Sequence, residues 1–512
     1  MTRLARVTEA MAVLVALGVA LVLVTGGGRV AGVPVTRAED LLVLFAGLVA
    51  LRALLAPIRL PAIRPAWAVG AGVGAYAVLM SFIVVTRHAA LRTHALDLGY
   101  YVQVVWSIGR GHGAYVTLPP MHAWGDHFSP VLYVFVPLAW LLPVAPVLLA
   151  GQALLLGLGG VVLFRYAARR LGEQAGRERL AAGVAALYLL NPSLHGINLR
   201  DIHPQAFAIP LVIAAALAFD ARRWGWCAAA LVLTLMTRED AAIAVVGFGL
   251  WLALARGRVM LGGAVALASV LVLAADVTWI MPYFRGAPYP HLQRWTYLGS
   301  SLGEILANAA LRPWRWLAVG LAPAKLLYLV KLLAPLGFLP LLAPRALLAV
   351  APALAMNLLS VDPILVNHRS QYQAFVLPFL FLAAVDGCAT ARSLGGARPR
   401  GRRLTAGGLL TAGALASVAL TARTFNDFTV TRWRLGPDQR AAYALMARVP
   451  PDASVSANDR IVPRLATRRE IYLAPTNVGR SEYVLERVSE SPVPPEGYRL
   501  VARAEGWVLY RR

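Results

Sequence analysis

The chain has 512 residues, 59% of them hydrophobic and 14% charged, with a mean hydropathy of +0.63; a soluble chain would carry about 25% charged residues. Its 49 Lys and Arg against 25 Asp and Glu give a formal charge of +24, nearly all of it Arg, since Lys325 and Lys331 are the only lysines. Such basicity suggests nucleic-acid binding, but the arginines sit in short stretches between apolar runs, as the positive-inside rule requires of a membrane protein, so no nucleic-acid partner is expected.

The apolar runs at 11–25, 41–56, 259–275 and 404–420 approach the 17–25 residues of a membrane helix. They are continuous rather than alternating, which excludes a β-barrel. Cys227 and Cys388 fall in or beside apolar runs and support neither a disulfide framework nor a cysteine zinc site.

Arg3 and Arg6 hold the N-terminus inside, ahead of a first span at 9–26. No clear small-x-small pattern follows, so it is read as an uncleaved span. A second span at 40–57 and a third at 66–86 flank an inside turn with Arg59 and Arg64. Residues 87–128 form a long outside loop with His94, Asp97, His112, His122, Asp126 and His127. The stretch 129–165 is broken at Pro143 and Pro146 yet ends at inside arginines; one of its two pieces is therefore short or re-entrant. A span at 180–192, an outside turn at 193–203 with Asp201 and His203, and a returning span at 204–220 follow. Residues 227–255 form a hairpin whose tip, Thr237-Arg238-Glu239-Asp240, lies at the outer face. Beyond the span 259–281 comes a loop, 282–322, rich in Trp, Tyr and Pro, whose stretch 279–297 reads as an interfacial aromatic belt. Spans at 326–342 and 346–360 precede an outside turn, 361–370, with Asp362, His368 and Arg369. The span 371–386, an inside Arg-rich loop at 387–403 and a last span at 404–421 complete about thirteen membrane segments. The tail, 422–512, is polar and has no spanning run. A helix at 441–448 and strand-like pieces at 454–457, 470–474 and 500–510 read as a small α/β domain outside the membrane. The domains are thus 1–421 and 422–512.

Charged side chains at membrane depth cost roughly 2.5–3.5 kcal/mol each on insertion scales, so the Arg238-Glu239-Asp240 tip needs a reason. It reads either as a self-paired turn or as part of a site shared with Asp97, Asp126, His127, Asp201, His203, Asp362, His368 and Arg369, all assigned to the same side. Carboxylates can take a proton from a hydroxyl or hold a divalent cation, and Arg and His can bind phosphate oxygens. Taken singly, Asp126-His127 equally reads as a helix cap beside a surface histidine, and His203-Pro204 as a satisfied helix start. His112 and His122 read as loop histidines.

The ordered motifs Leu96-Asp97-Leu98-Gly99-Tyr100-Tyr101-Val102-Gln103, Gly125-Asp126-His127-Phe128-Ser129-Pro130, Asn191-Pro192, Asp201-Ile202-His203-Pro204-Gln205 and Arg238-Glu239-Asp240 resemble the DUF2079 family of predicted bacterial membrane proteins. The resemblance covers about 90–390, and the tail is similar as well. The layout also resembles GT-C glycosyltransferases, polytopic enzymes that use polyprenyl-phosphate sugars. Asp97 stands where that layout has an acidic loop motif after an outward span, and Leu235-Met236-Thr237-Arg238-Glu239-Asp240 matches its polar-tipped hairpin. The acidic motif here is one Asp rather than an adjacent pair, and two extra helices precede the match.

The resemblance implies an all-α, GT-C-like polytopic protein of a bacterial inner or plasma membrane, with its α/β tail extracytoplasmic. It would move a sugar from a polyprenyl-phosphate lipid to an acceptor hydroxyl on the outer face. Asp97 is then the expected base, with Asp126 assisting or binding a divalent cation. His127, His203, Arg238, Glu239, Asp240, His368 and Arg369 are the expected substrate-binding residues. The alternatives are a non-enzymatic lipid-linked glycan transporter or flippase, which needs polar groups spread through membrane depth, or a scaffold. Donor, acceptor, metal and oligomeric state stay open.

Overall fold

Residues 3–30, 32–55, 63–173, 176–396, 405–475, 478–487 and 494–512 are described by a computed structural model. Residues 387–396 of the expected Arg-rich loop continue the helix Leu377–Gly396; Arg59 and the second part of that loop, 397–403, lie outside the described residues. Within them, six helices are long and apolar enough to cross a membrane: Arg3–Thr25, Pro65–Ala89, Val144–Arg170, Val259–Arg285, Leu377–Leu394 and Ala406–Phe428. Two bent pairs, Arg177–Leu189 with Pro192–Asn198 (44°) and Pro313–Gly320 with Pro323–Leu336 (65°), make eight if each is one crossing. Leu14, Leu17 and Leu21 on the first helix and Leu267 and Leu271 on the fourth are 58–67% exposed. Side chains of that kind gain by facing lipid rather than water.

The departures from the expected spans have local causes. Pro143 caps the helix Val144–Arg170 and ends the short apolar piece Pro130–Ala139, so the 129–165 stretch is one short and one full-length segment. Between 326 and 360, Pro335, Gly337, Pro340, Pro344 and Pro352 interrupt the backbone. A proline removes a helical donor and crowds the preceding turn, and the two expected spans become a series of short helices. The second apolar run forms Ala38–Leu55, which carries Glu39, Asp40 and Arg52 and packs on the first helix, with Arg52 Nε 3.1 Å from Glu9 Oε2. The loop 282–322 contains two helices, Leu302–Leu311 and Pro313–Gly320, that the aromatic composition had hidden.

Two small hairpins come first among the strands: β1 (Gly28–Val30) with β2 (Val33–Val35), and β3 (Tyr115–Thr117) with β4 (Pro120–His122). The tail holds a five-stranded sheet of β5 (Val455–Ala457), β6 (Ile471–Leu473), β7 (Tyr483–Arg487), β8 (Arg499–Ala504) and β9 (Trp507–Arg511) in the order β6-β5-β7-β9-β8. β5 runs parallel to β6 and β7, while β9 is antiparallel to β7 and β8. The tail helix spans Pro437–Met446.

The tail is packed onto the segment 87–128. Its buried Leu445, Val455, Ile461 and Leu485 join the same contiguous apolar core as Leu98, Val102 and Val105. Gln103 bridges the contact: its Nε2 donates to Thr117 Oγ1 at 2.9 Å and to the Arg468 and Arg469 carbonyls at 3.3 and 3.2 Å. Thr117 Oγ1 in turn accepts from Ile471 N at 3.0 Å.

Candidate functional site

Asp97 sits in a single π-turn, Ala95–Gly99, that opens the helix Tyr100–Gly109. Two separated segments grip this turn, and a third braces one of them. Asp459 of the tail accepts Ala95 N–H at 2.8 Å and bonds His94 Nδ1 at 2.8 Å. Asp201 accepts His94 N–H at 2.8 Å. Asp201 itself has a φ of +64°, a left-handed conformation that Asp tolerates better than most residues. From the central helix Val144–Arg170, Gln152 fixes both ends of the next loop, donating to the Asp201 carbonyl at 2.8 Å and accepting His203 N–H at 2.9 Å. His203 is extended, as a residue before proline should be, and its Nε2 lies 3.5 Å from Asp97 Oδ1.

The two carboxylates of this cluster differ in charge. Burial pushes Asp97 up, but the hydrogen bond and charge of His203, with His94 and Arg200, outweigh it and leave its carboxyl below the ordinary range. Asp97 is therefore ionised at neutral pH, and its side chain is 45% exposed. Burial lifts Asp201 to about 6, against the opposing His94 N–H and Arg87. His203 is buried, and among the described residues its Nδ1 has no partner, nor do the buried amides of Asn198 and Gln205. Buried polar groups are ordinarily satisfied, so the unpaired Nδ1 of His203, on the ring that faces Asp97, marks a place for polar ligand or water.

A second cluster forms around the hairpin tip. Glu239 is 1% exposed; its carboxylate bonds His127 Nδ1 at 3.0 Å, accepts Phe128 N–H at 3.2 Å and lies 3.4 Å from the Tyr289 hydroxyl. The His127 ring stacks on His291 with centroids 4.5 Å apart. His291 Nε2 donates to the Asp126 carbonyl at 3.0 Å and lies 3.6 Å from its carboxylate. Burial opposes ionisation of Glu239, yet the charge and hydrogen bond of His127, with Arg238 and His291, pull it down to about 2. His127 is raised: Glu239 overcomes the burial that would lower it. One ligand atom from each of His127, Glu239 and His291 lies within 4.8 Å of the others. Two imidazoles and a carboxylate are a donor set suited to zinc and other borderline divalent ions, so these residues fit a cation.

Arg238 is spent locally. It is buried, its Nε donates to Asp240 Oδ1 at 2.6 Å, and its Nη2 bonds Asp240 Oδ2. The guanidinium also lies 5.6 Å from the Tyr372 ring centroid. The buried Tyr101 lies within electrostatic reach of both clusters, of Arg238, Asp126 and Glu239 in one and of Asp97 in the other.

His368 and Arg369 are oriented elsewhere. A Cβ at Gly196 would lie 2.4 Å from Arg369 Cβ and from its carbonyl oxygen, so this close approach requires glycine there. The Arg369 guanidinium reaches Thr424 Oγ1 at 3.0 Å and the Leu420 carbonyl at 3.4 Å. Burial, then Lys331 and Arg369, press His368 down to about 4, leaving it neutral at pH 7. Among the described residues, neither bonds to Asp97, Asp126, His203 or the hairpin tip.

Several members escaped sequence reasoning. His291 was hidden in an aromatic stretch, Gln152 in an apolar span and Asp459 in the tail; no local pattern marks any of them. At the arginine-bearing helix ends, Arg256 holds Asp220 at 2.9 Å and lies 3.5 Å from Asp386, which Arg170 bonds at 2.6 Å. That network is internally satisfied.

Residues 87–492 match the family described as predicted membrane protein (DUF2079). No curated protein matches the chain. Among solved structures, the chain is similar to ArnT from Cupriavidus metallidurans bound to undecaprenyl phosphate, at 14% identity and a TM-score of 0.46, over 85% of this chain and 97% of that one. The same protein in its apo state is similar at 16% identity and a TM-score of 0.47, over 86% and 98%.

Proposed function

We propose that this chain, which belongs to the DUF2079 family of predicted membrane proteins, transfers a sugar from a polyprenyl-phosphate lipid to an acceptor hydroxyl on the extracytoplasmic face of the membrane. The observation that carries this reading is the ionised, half-exposed Asp97 held beside His203 at 3.5 Å. In the proposed step an acceptor hydroxyl oxygen attacks the anomeric carbon of the donor. Asp97 takes the hydroxyl proton, and the bond from the anomeric carbon to the phosphate oxygen breaks, its electron pair leaving with the polyprenyl phosphate. A positioned general base contributes typically 10²–10⁴-fold to such a step.

His203 acts as a positioning residue, fixing the Asp97 carboxylate through Nε2 while Gln152 fixes His203. His127, Glu239 and His291, with Asp126 beside them, form the neighbouring half of the site. A divalent cation held there would supply neutralisation of phosphate charge. Arg238, paired with Asp240, braces the hairpin tip next to it. His368, half-buried and neutral at pH 7, offers no charge to a phosphate. The reading places 1–421 in the membrane, with the tail, 422–512, outside. It is tested by donor consumption in liposomes carrying the purified full chain, with Asp97→Asn alongside.

A further inference from the structure

Where the tail meets the outer loop there is a cleft of about 660 Å³. Four chain segments bring arginines to it: Arg92 from the outer loop, Arg432 and Arg434 from the stretch after the last apolar helix, Arg460 from the tail, and Arg487 from β7. Asp438 and Asp459 are the carboxylates on its wall. Both are already engaged. Asp459 is bonded to His94 and to Ala95 N, each at 2.8 Å, and comes no nearer than 3.8 Å to Arg460. Asp438 pairs with Arg487 at 3.2 Å and accepts the Trp507 indole N–H at 2.9 Å. Arg92 shares Asp427 with Arg87, at 3.4 and 3.5 Å. Arg432 and Arg434 form no ion pair among the described residues.

Positive charge gathered from four segments repels itself, and the repulsion strengthens as a cleft excludes water. Arg92 registers it: burial, then Arg87, with Arg432 and Arg460, lowers its guanidinium against the pull of Asp427. An anion of high charge density turns that repulsion into attraction. Guanidinium forks match tetrahedral oxyanions bidentately, and several forks around one cleft suit a group with more oxygens than a single carboxylate offers.

We propose that this cleft is an anion subsite for phosphate-class groups, presented by a lipid headgroup or by a soluble phosphorylated ligand. It is separate from the His127–Glu239–His291 cluster, and it touches the Asp97 turn through Asp459, which holds His94 and Ala95. It stands whether or not Asp97 is a base.

The test is calorimetric titration of inorganic pyrophosphate into the full chain in phosphatidylcholine nanodiscs, at two salt concentrations. Saturable binding that weakens with salt is expected. The double variant Arg432→Gln/Arg434→Gln should bind at least about tenfold more weakly. Its melting temperature should match the parent, since neither side chain has an ion-pair partner among the described residues. Should the double variant not fold, Arg434→Gln alone is expected to weaken binding several-fold. Repeating the titration in phosphatidylglycerol nanodiscs separates the sources. A headgroup ligand competes and weakens the parent more than the variant; a soluble ligand leaves their ratio unchanged. No saturable binding by the parent, or equal affinity in parent and variant, would overturn the proposal, whatever Asp97→Asn does to turnover.

Discussion

His127 Nδ1 lies 3.0 Å from Glu239 Oε1, although 112 residues separate them in the chain, and the His127 ring is stacked on His291 with 8° between the planes. The three side chains are close enough to converge on one cation. After chelator treatment, added Zn²⁺ or Mn²⁺ should raise the thermal stability of the purified protein. A ligand at 100 times its Kd stabilises by about 2.7 kcal/mol. His291→Ala should abolish the response; a response of equal size in that variant would remove the cluster as a cation site.

Asp201 gives a pH dependence whose sign is fixed. Its folded pKa of about 6 is above its ordinary 3.8, so ionising it costs the folded state. The native protein is favoured below about pH 4, loses stability as pH rises toward 6, and levels off above. His94, Arg87 and Asp97 are the charged neighbours that modulate this. Asp201→Asn keeps an acceptor for His94 N–H. It should melt higher than the parent at pH 7.5, by about 1–3 kcal/mol at roughly 1.4 kcal/mol per pKa unit, and show no advantage near pH 4. Parallel pH profiles for parent and variant would contradict the assignment.

The placement of the tail is tested by labelling. Ser393 is exposed at the end of the helix that leads into the Arg-rich loop, and Asp452 is exposed in the tail. Cys227 and Cys388 are buried and should stay silent. Ser393→Cys and Asp452→Cys should react with an impermeant thiol reagent from opposite sides of the membrane. Labelling of both from one side would contradict an outside tail.

The sequence made the membrane class and the polar hairpin tip legible, because apolar length and a run of charges between apolar limbs are local signals. Asp97, Asp126, His127, His203 and Glu239 were singled out as polar residues at helix starts, and they do fall into two neighbouring clusters. What pairs with what was not legible. Arg238 was expected to face phosphate, yet Asp240, two residues on, occupies its guanidinium. His291 and Asp459 act at long range only because the fold closes over them: His291 stacks on His127, 164 positions earlier, and Asp459 holds His94 across 365. Proline-broken spans between 326 and 360 kept their apolar composition while losing their helical continuity, so composition overstated their length.

The central claim is that Asp97 takes the acceptor proton. Purified parent and Asp97→Asn, matched for melting temperature, should be compared for consumption of a polyprenyl-phosphate sugar in liposomes. Asn keeps the shape of the side chain but cannot accept the proton, so turnover should fall by about 10²–10⁴ with folding unchanged. An Asp97→Asn protein that folds normally and consumes donor at the parent rate would contradict the account. So would a parent that consumes no donor, which would favour a lipid-linked glycan transporter or a scaffold.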